Sequence, residues 1–250
     1  MSPFEVLAIF AAGIVAGTIN TVVGSGTLFT FPVLLGFGYS PVVANVSNTI
    51  GLVPGSAAGA FGYRRELAGQ RRRVMTLAVA SITGGITGAV LLLSLPASAF
   101  KAIVPVFIAV ALVLIVMQPR LSGWLDKRRP EGRQVPGPLA TLGVFAGGIY
   151  GGYFGAAQGI LVLAILTLSL DDDLQRLNAV KVVLTGVVNL VAGLVFVFAA
   201  HVAWGPAGLI AAGSTLGGVF GARVGRRLPP AVLRAVIVVV GVVAIVRLVT

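Results

Sequence analysis

No cysteine occurs in the 250 residues, which removes disulfides, thiolate metal ligands and cysteine nucleophiles together. Acid is nearly as scarce: seven Asp and Glu stand against eighteen Lys and Arg, with a single histidine. Charged residues make up 10% of the chain, where a soluble domain carries about 25%. Such a chain cannot cover itself with a water-compatible surface. What it has instead is 57% hydrophobic residues and a mean hydropathy of +1.04, which predicts an integral membrane protein. A net charge of +11 would suit nucleic acid if the basic residues gathered in one domain. They sit between apolar runs instead, the pattern of loops held on the cytoplasmic side. The expected partner is the lipid bilayer and not nucleic acid. Met1-Ser2-Pro3-Phe4-Glu5 places no basic residue before the first apolar run, so a cleaved signal peptide is not expected.

Catalysis lacks its parts. No H-E-x-x-H, G-x-S-x-G or phosphate-loop pattern occurs. The acids, Glu5, Glu66, Asp126, Glu131 and Asp171 to Asp173, all fall at segment edges or in loops. Neither an enzyme nor a cofactor or metal is expected. With no Asp, Glu or His at membrane depth, a proton relay also lacks its groups; His201 reads as a solvated or interfacial side chain. An anion moving outward gains about 2.3 kcal/mol per charge per 100 mV of inside-negative potential, so an exporter can work without a coupling ion.

Apolar runs lie near residues 4–23, 27–37, 41–63, 74–95, 98–118, 138–154, 159–170, 174–199, 204–222 and 231–249. A helix needs about 20 residues to cross the hydrocarbon core. The runs at 41–63, 74–95, 98–118, 174–199, 204–222 and 231–249 read as full spans. Those at 27–37 and 159–170 reach only about 16–18 Å, and read as half-helices or re-entrant segments. An offset of 133 aligns Asn45 with Asn178, Gly84-Gly85 with Gly217-Gly218, Pro96 with Pro229 and Lys101 with Arg234. The chain therefore reads as a duplication: a first membrane repeat over 1–118, a linker over 119–137 and a second repeat over 138–250. A duplicated scaffold with no transport role is the alternative.

Arginine sets the orientation. The loops Arg64–Arg73 and Arg223–Arg234 and the linker are Arg-rich, whereas the loop near Pro96 has only Lys101 and that around His201 has no Lys or Arg. The positive-inside rule puts the first three in the cytoplasm. Equivalent loops then lie on opposite faces, so the repeats are inverted and both termini extracytoplasmic. The fold class is an all-α integral membrane protein: two inverted-topology repeats with broken or re-entrant half-helices.

The candidate site is the pair of glycine-rich breaks, Gly24-Ser25-Gly26-Thr27 and Gly155-Ala156-Ala157-Gln158-Gly159. Half-helices starting after Gly26 and Gly159 present N–H groups without intrahelical partners and a positive dipole end, which suits an anion. Glycine bares the backbone to a ligand, and Ser25, Thr27 and Gln158 add donors. The alternative is that the glycines only allow tight turns. The polar patch Asn45-Val46-Ser47-Asn48-Thr49 and its counterpart Asn178 to Lys181 form a second cluster. Asn45 shares a helix face with Asn48, and Asn178 with Lys181. Lys181 aligns with Asn48, about 10 Å into its helix, and either faces a cavity or extends to the interface. Asp171 to Asp173 suit a helix N-terminus; an acidic entrance or cation site is the other reading. Spacings such as Gly13/Gly17, Gly84/Gly88 and Gly217/Gly221 suit close helix packing.

These stretches resemble the TauE/SafE family of sulfite-exporter-like membrane proteins. The resemblance rests on Ala12-Gly13 through Gly24-Ser25-Gly26-Thr27, Pro32-Val33-Leu34, Ala44–Thr49 with Pro54-Gly55-Ser56, Gly62–Leu67, and Gly217-Gly218 to Pro229. It implies export of a small sulfur-containing anion such as sulfite, sulfoacetate or a related organosulfonate across the bacterial inner membrane. Ser25, Ala156-Ala157-Gln158 and Lys181 depart from the pattern usual in the family. A homodimer fits this reading. A cation transporter or a non-transporting membrane scaffold subunit is the rival.

Overall fold

The structure, a computed structural model, describes residues 1–126, 132, 135–224, 239 and 242. Among these it is all-helical: α1 (Pro3–Val22), α2 (Thr27–Gly36), α3 (Pro41–Gly62), α4 (Arg71–Ser94), α5 (Ala97–Asp126), α6 (Pro138–Tyr153), α7 (Gln158–Ser169), α8 (Leu174–Ala199) and α9 (Trp204–Val224). Of the apolar run expected at 231–249 only positions 239 and 242 are among the described residues, and Pro229 and Arg234 lie outside them. Helix α5 continues for eight residues past position 118.

Local chemistry sets the helix ends. Ser2 and Glu5 form a reciprocal capping box on α1, with N···O distances of 3.2 and 3.3 Å. Asp173 caps α8, accepting from the N–H groups of Gln175 (2.8 Å) and Arg176 (3.4 Å). Capping is thus the role of Asp173. Ser40 occupies the cap position of α3 in an extended conformation, but its hydroxyl makes no capping bond there.

Among the described residues four helices, α1, α4, α5 up to Met117, and α8, are long and apolar enough to cross a membrane. Helices α3 and α9 have 22 and 21 residues but are not among them. Their amide, hydroxyl and glycine positions dilute the hydropathy. At 10 and 12 residues, α2 and α7 are half-length, as expected from the short runs. Large apolar side chains such as Phe4, Phe61, Leu139 and Phe198 point outward, which suits lipid and not water.

Two long-helix groups meet at the middle. Helices α1 and α3 both lie along α9, α6 and α8 both lie along α4, and α3 packs on α8. Small residues allow this. A Cβ at Gly17 would lie 2.3 Å from Ser214 O, and one at Gly217 2.0 Å from Ile14 O; at Gly84 and Gly88 it would meet Phe145 O at 2.3 Å and Ile149 O at 2.1 Å. Backbones in contact give the van der Waals packing that joins helices where lipid offers no hydrophobic drive.

Loop contacts sort the helix ends into two groups. Tyr39 Oη donates to Glu5 Oε1 (2.8 Å), the Phe4 and Phe37 rings meet edge to face, and the Ala203 N–H donates to Ser47 Oγ (2.9 Å). These gather the starts of α1, α3 and α9 and the end of α2. Elsewhere the loop 63–70 is joined to 171–176. Arg73 pairs with Asp172 (2.6 Å), and Gln70 Nε2 donates to Arg176 O (3.1 Å). Gly132 N donates to Asp171 Oδ2 (2.8 Å) in the same region. Asp172 is also paired with Arg176 at 2.8 Å. Burial alone would raise the Asp172 carboxyl, but the Arg73 hydrogen bond, the Asp173 N–H and both guanidinium charges hold it below its ordinary value.

Candidate functional site

The two breaks begin with the same backbone device. The N–H groups of Val23 and Gly24 both donate to Ile19 O (2.7 and 3.0 Å), and those of Phe154 and Gly155 both donate to Tyr150 O (2.9 and 3.0 Å). Gly24 and Gly155 then turn the chain with φ of +85° and +76°. Such φ values cost a residue with a Cβ about 1–2 kcal/mol. The second break also holds Ala157 at φ +59°, a strained conformation for alanine.

The breaks touch. Gly159 N donates to Gly24 O at 3.0 Å, and a Cβ on Gly24 would fall 2.4 Å from Gly159 Cα. Helices α2 and α7 therefore start beside one another. This alters one detail read from the sequence: the Gly159 N–H is occupied by the first break, because no side chain keeps the two backbones apart. The N–H groups of Ser25, Gly26 and Thr27, at the start of α2, meet no backbone acceptor among the described residues.

Side chains from α3 and α8 close around this contact. Asn48 Nδ2 donates to Thr27 Oγ1 (3.1 Å), and Thr30 Oγ1 donates to Asn48 Oδ1. Asn45 Nδ2 donates to Tyr153 O (3.0 Å), tying α3 to the second break. Lys181 is wholly buried and does not reach an interface. Its Nζ donates to Asn20 O (3.4 Å) and Thr21 O (3.2 Å), at the last turn of α1. A cation suits that end of a helix dipole. A Cβ on Gly159 would lie 3.0 Å from Lys181 Cδ, so the lysine stem runs past the second break to reach the first.

Gly24, Ser25, Gly26, Thr27, Asn48, Gly159 and Lys181 are thus linked by direct contact or by sequence adjacency, with Asn45 joined through Tyr153. Asn178 is buried one turn before Lys181. Gln158 lies against α6, where a Cβ on Gly151 would overlap its amide at 2.3 Å, and that amide makes no hydrogen bond among the described residues. On the first break and on α3, α6 and α8, Ser25 Oγ, Asn45 Oδ1, Tyr153 Oη and Asn178 Oδ1 are buried and meet no hydrogen-bond partner among the described residues. Each such atom costs about 1–3 kcal/mol if left unmet. Sequence reasoning placed Asn20 at the head of the stretch leading into the first break without assigning it to the site, and did not select Thr30 or Tyr153. Asn20 stands at the head of the first break, and Thr30 shares a helix face with Thr27, so both carried a signal. Tyr153 looked like any aromatic in an apolar run.

Membrane-length apolar helices, with two half-length helices starting beside one another among buried polar side chains, define an integral membrane protein. The family model described as "Sulfite exporter TauE/SafE" matches residues 9–248, and the chain belongs to that family. Its relatives include the "Probable membrane transporter protein YfcA" of Escherichia coli strain K12, 27% identical over 97% of this chain and 89% of that one. A "Probable membrane transporter protein" of Haemophilus influenzae is 27% identical over 94% of this chain and 91% of its own length. "Probable membrane transporter protein ORF9" of a Sinorhizobium species is 28% identical, over 98% and 93%. The chain is a membrane protein of a transporter family.

Proposed function

We propose that this protein exports a small sulfur-containing anion, such as sulfite, sulfoacetate or a related organosulfonate, from the bacterial cytoplasm. The anion is held near mid-membrane between the starts of α2 and α7. One observation carries the reading: the Gly24–Gly159 contact brings two half-helix N-termini together beside buried Lys181. Converging positive dipole ends, bare backbone and a basic side chain all favour negative charge. The hydroxyl of Ser25 and the amide of Gln158 then serve as donors. A cation carrier could use Asn45 Oδ1 and Asn178 Oδ1 as acceptors, but Lys181 would oppose its cargo.

The same reading treats 1–118 and 138–250 as inverted repeats joined by 119–137, working as a monomer or a homodimer in the bilayer. Its support is the paired packing, in which α1 and α3 lie on α9 as α6 and α8 lie on α4, together with the loop contacts that set the end of α2 and the end of α7 in different groups. Arg64, Arg65 and Arg71 to Arg73 put the 63–70 loop in the cytoplasm, and hence the N-terminus outside. Gln70 is buried, so labelling probes belong at its exposed neighbours. Ala68→Cys is expected to be shielded from an impermeant thiol reagent in intact cells and His201→Cys to be labelled; the reverse pattern inverts the orientation.

Flux into proteoliposomes under an imposed potential tests the function. Sulfite or sulfoacetate should move toward the positive side, faster as the potential grows. No anion movement, or movement of a cation in its place, would reject the reading.

A further inference from the structure

Away from the breaks, a cavity of about 170 Å³ opens between the 63–70 loop, the start of α4, the turn at Asp172 and Val135-Pro136. Among the described residues its wall holds three arginines, Arg72, Arg73 and Arg176, against one carboxylate, Asp172. That carboxylate is already shared, at 2.6 Å from Arg73 and 2.8 Å from Arg176. Gln70 fixes the frame: its Nε2 donates to Glu66 O (2.8 Å) and Arg176 O (3.1 Å), while its Oε1 accepts from Arg73. Arg176 spends its two terminal nitrogens on Ala68 O. Arg72 is exposed and has neither a carboxylate nor a hydrogen-bond partner for its side chain among the described residues. The lining therefore carries a surplus of positive charge, and the free part of it is one fork-shaped guanidinium. Helix α4 also begins here without a side-chain cap, adding its positive end.

We propose that this cavity is a second anion site, distinct from the break contact, which binds a tetrahedral oxyanion through Arg72. The guanidinium fork matches two oxygens of a phosphate or sulfonate group, which a lysine would not. A water takes about 30 Å³ of liquid volume, so the space admits such a group with part of its hydration. Its walls come from α4 and from the start of α8, so an occupant joins both ends of the Arg73–Asp172 interlock. The oxyanion belongs either to a soluble anion or to the headgroup of an anionic phospholipid, because the cavity opens beside Thr76 and Val135, with Met75, Val79 and Val135 exposing apolar side chains nearby.

The test is thermal unfolding of the full-length detergent-purified protein titrated with inorganic phosphate, with short-chain phosphatidylglycerol, and with chloride at matched ionic strength. Arg72→Gln is the site variant, and Lys101→Gln, exposed near the start of α5, is the control. A saturable rise in Tm with phosphate that chloride does not reproduce, weakened about tenfold or more in apparent affinity by Arg72→Gln (~1.4 kcal/mol), supports a soluble occupant. The same Arg72-dependent rise with phosphatidylglycerol alone supports a lipid headgroup. No rise with either, or a rise that Arg72→Gln leaves unchanged or Lys101→Gln removes equally, overturns the site. Since the readout is stability, it is independent of whether the break contact carries sulfur anions.

Discussion

The two breaks share a backbone and differ in chemistry. Both end a helix with two N–H groups converging on one carbonyl and a left-handed glycine, Gly24 or Gly155. The first then sets its polar groups among neutral ones: Asn48 bridges Thr27 and Thr30, and Ser25 stands unpartnered. The second relies on Ala157 in a strained turn and on Lys181, the counterpart of Asn48, which reaches across to the first break. Two turns of one geometry can therefore differ in that only one has a charged side chain running past it. One lysine between two half-helices makes the centre asymmetric in charge although its frame is nearly symmetric.

The strongest way to break the comparison is to add a Cβ to each turn. Gly24→Ala meets both a positive φ and the Gly159 backbone, and is expected to cost about 3 kcal/mol or more, seen as lost folding yield and a lower Tm. Gly155→Ala meets the same φ penalty but only the Gly151 carbonyl at 3.0 Å, and should cost about 1–2 kcal/mol. Equal losses would mean the contact between the breaks does not matter.

Lys181→Met should lower anion flux about tenfold or more, as removing one charged contact worth ~1.4 kcal/mol would. Asn48→Ala at the equivalent place should lower it less, because Asn48 contacts only hydroxyls. Flux that survives Lys181→Met at unchanged yield would assign the lysine to structure alone.

Ser25→Ala separates stability from function. Its hydroxyl has no partner among the described residues, so Tm should move little, while anion affinity falls by about 1–3 kcal/mol. A large Tm loss with unaltered affinity would reverse that assignment.

The starts of α3 and α8 extend the contrast, since Ser40 does not cap and the Asp172–Asp173 turn is heavily bonded. The Asp172 carboxyl is held below its ordinary value, so its contribution is present above the unfolded pKa of about 3.9 and lost as pH falls through the folded value. Asp172→Asn should lower Tm at neutral pH and flatten the acid side of the stability curve. The smallest effect belongs to Ala157→Gly, which relieves the left-handed strain and should raise stability by up to ~1 kcal/mol.

The half-length helices were legible because glycine and hydropathy act locally. Ser25-Gly26 interrupts an apolar run within a few residues, and no distant contact is needed to read it. The same holds for the paired Gly84/Gly88 and Gly217/Gly221 faces, whose spacing follows the helix period. Asn45 and Asn48 were legible as buried amides, since polar groups in an apolar run need partners, but not which partners. Tyr153 was invisible: its bond to Asn45 is through a backbone carbonyl, which every residue has, and a tyrosine in an apolar run does not show where its hydroxyl lands.

By itself the sequence determined an all-helical membrane chain, the places where it breaks, and the face on which arginine gathers. Each follows from composition and from periods of a few residues. Tertiary structure alone decided that Gly24 meets Gly159, 135 positions away, and so which N–H groups stay free. It decided the fate of Lys181 as well. A lysine stem is long enough to reach an interface, a cavity or a helix end. Which of these it reaches depends on the carbonyls of Asn20 and Thr21, whose distance from α8 no local pattern encodes.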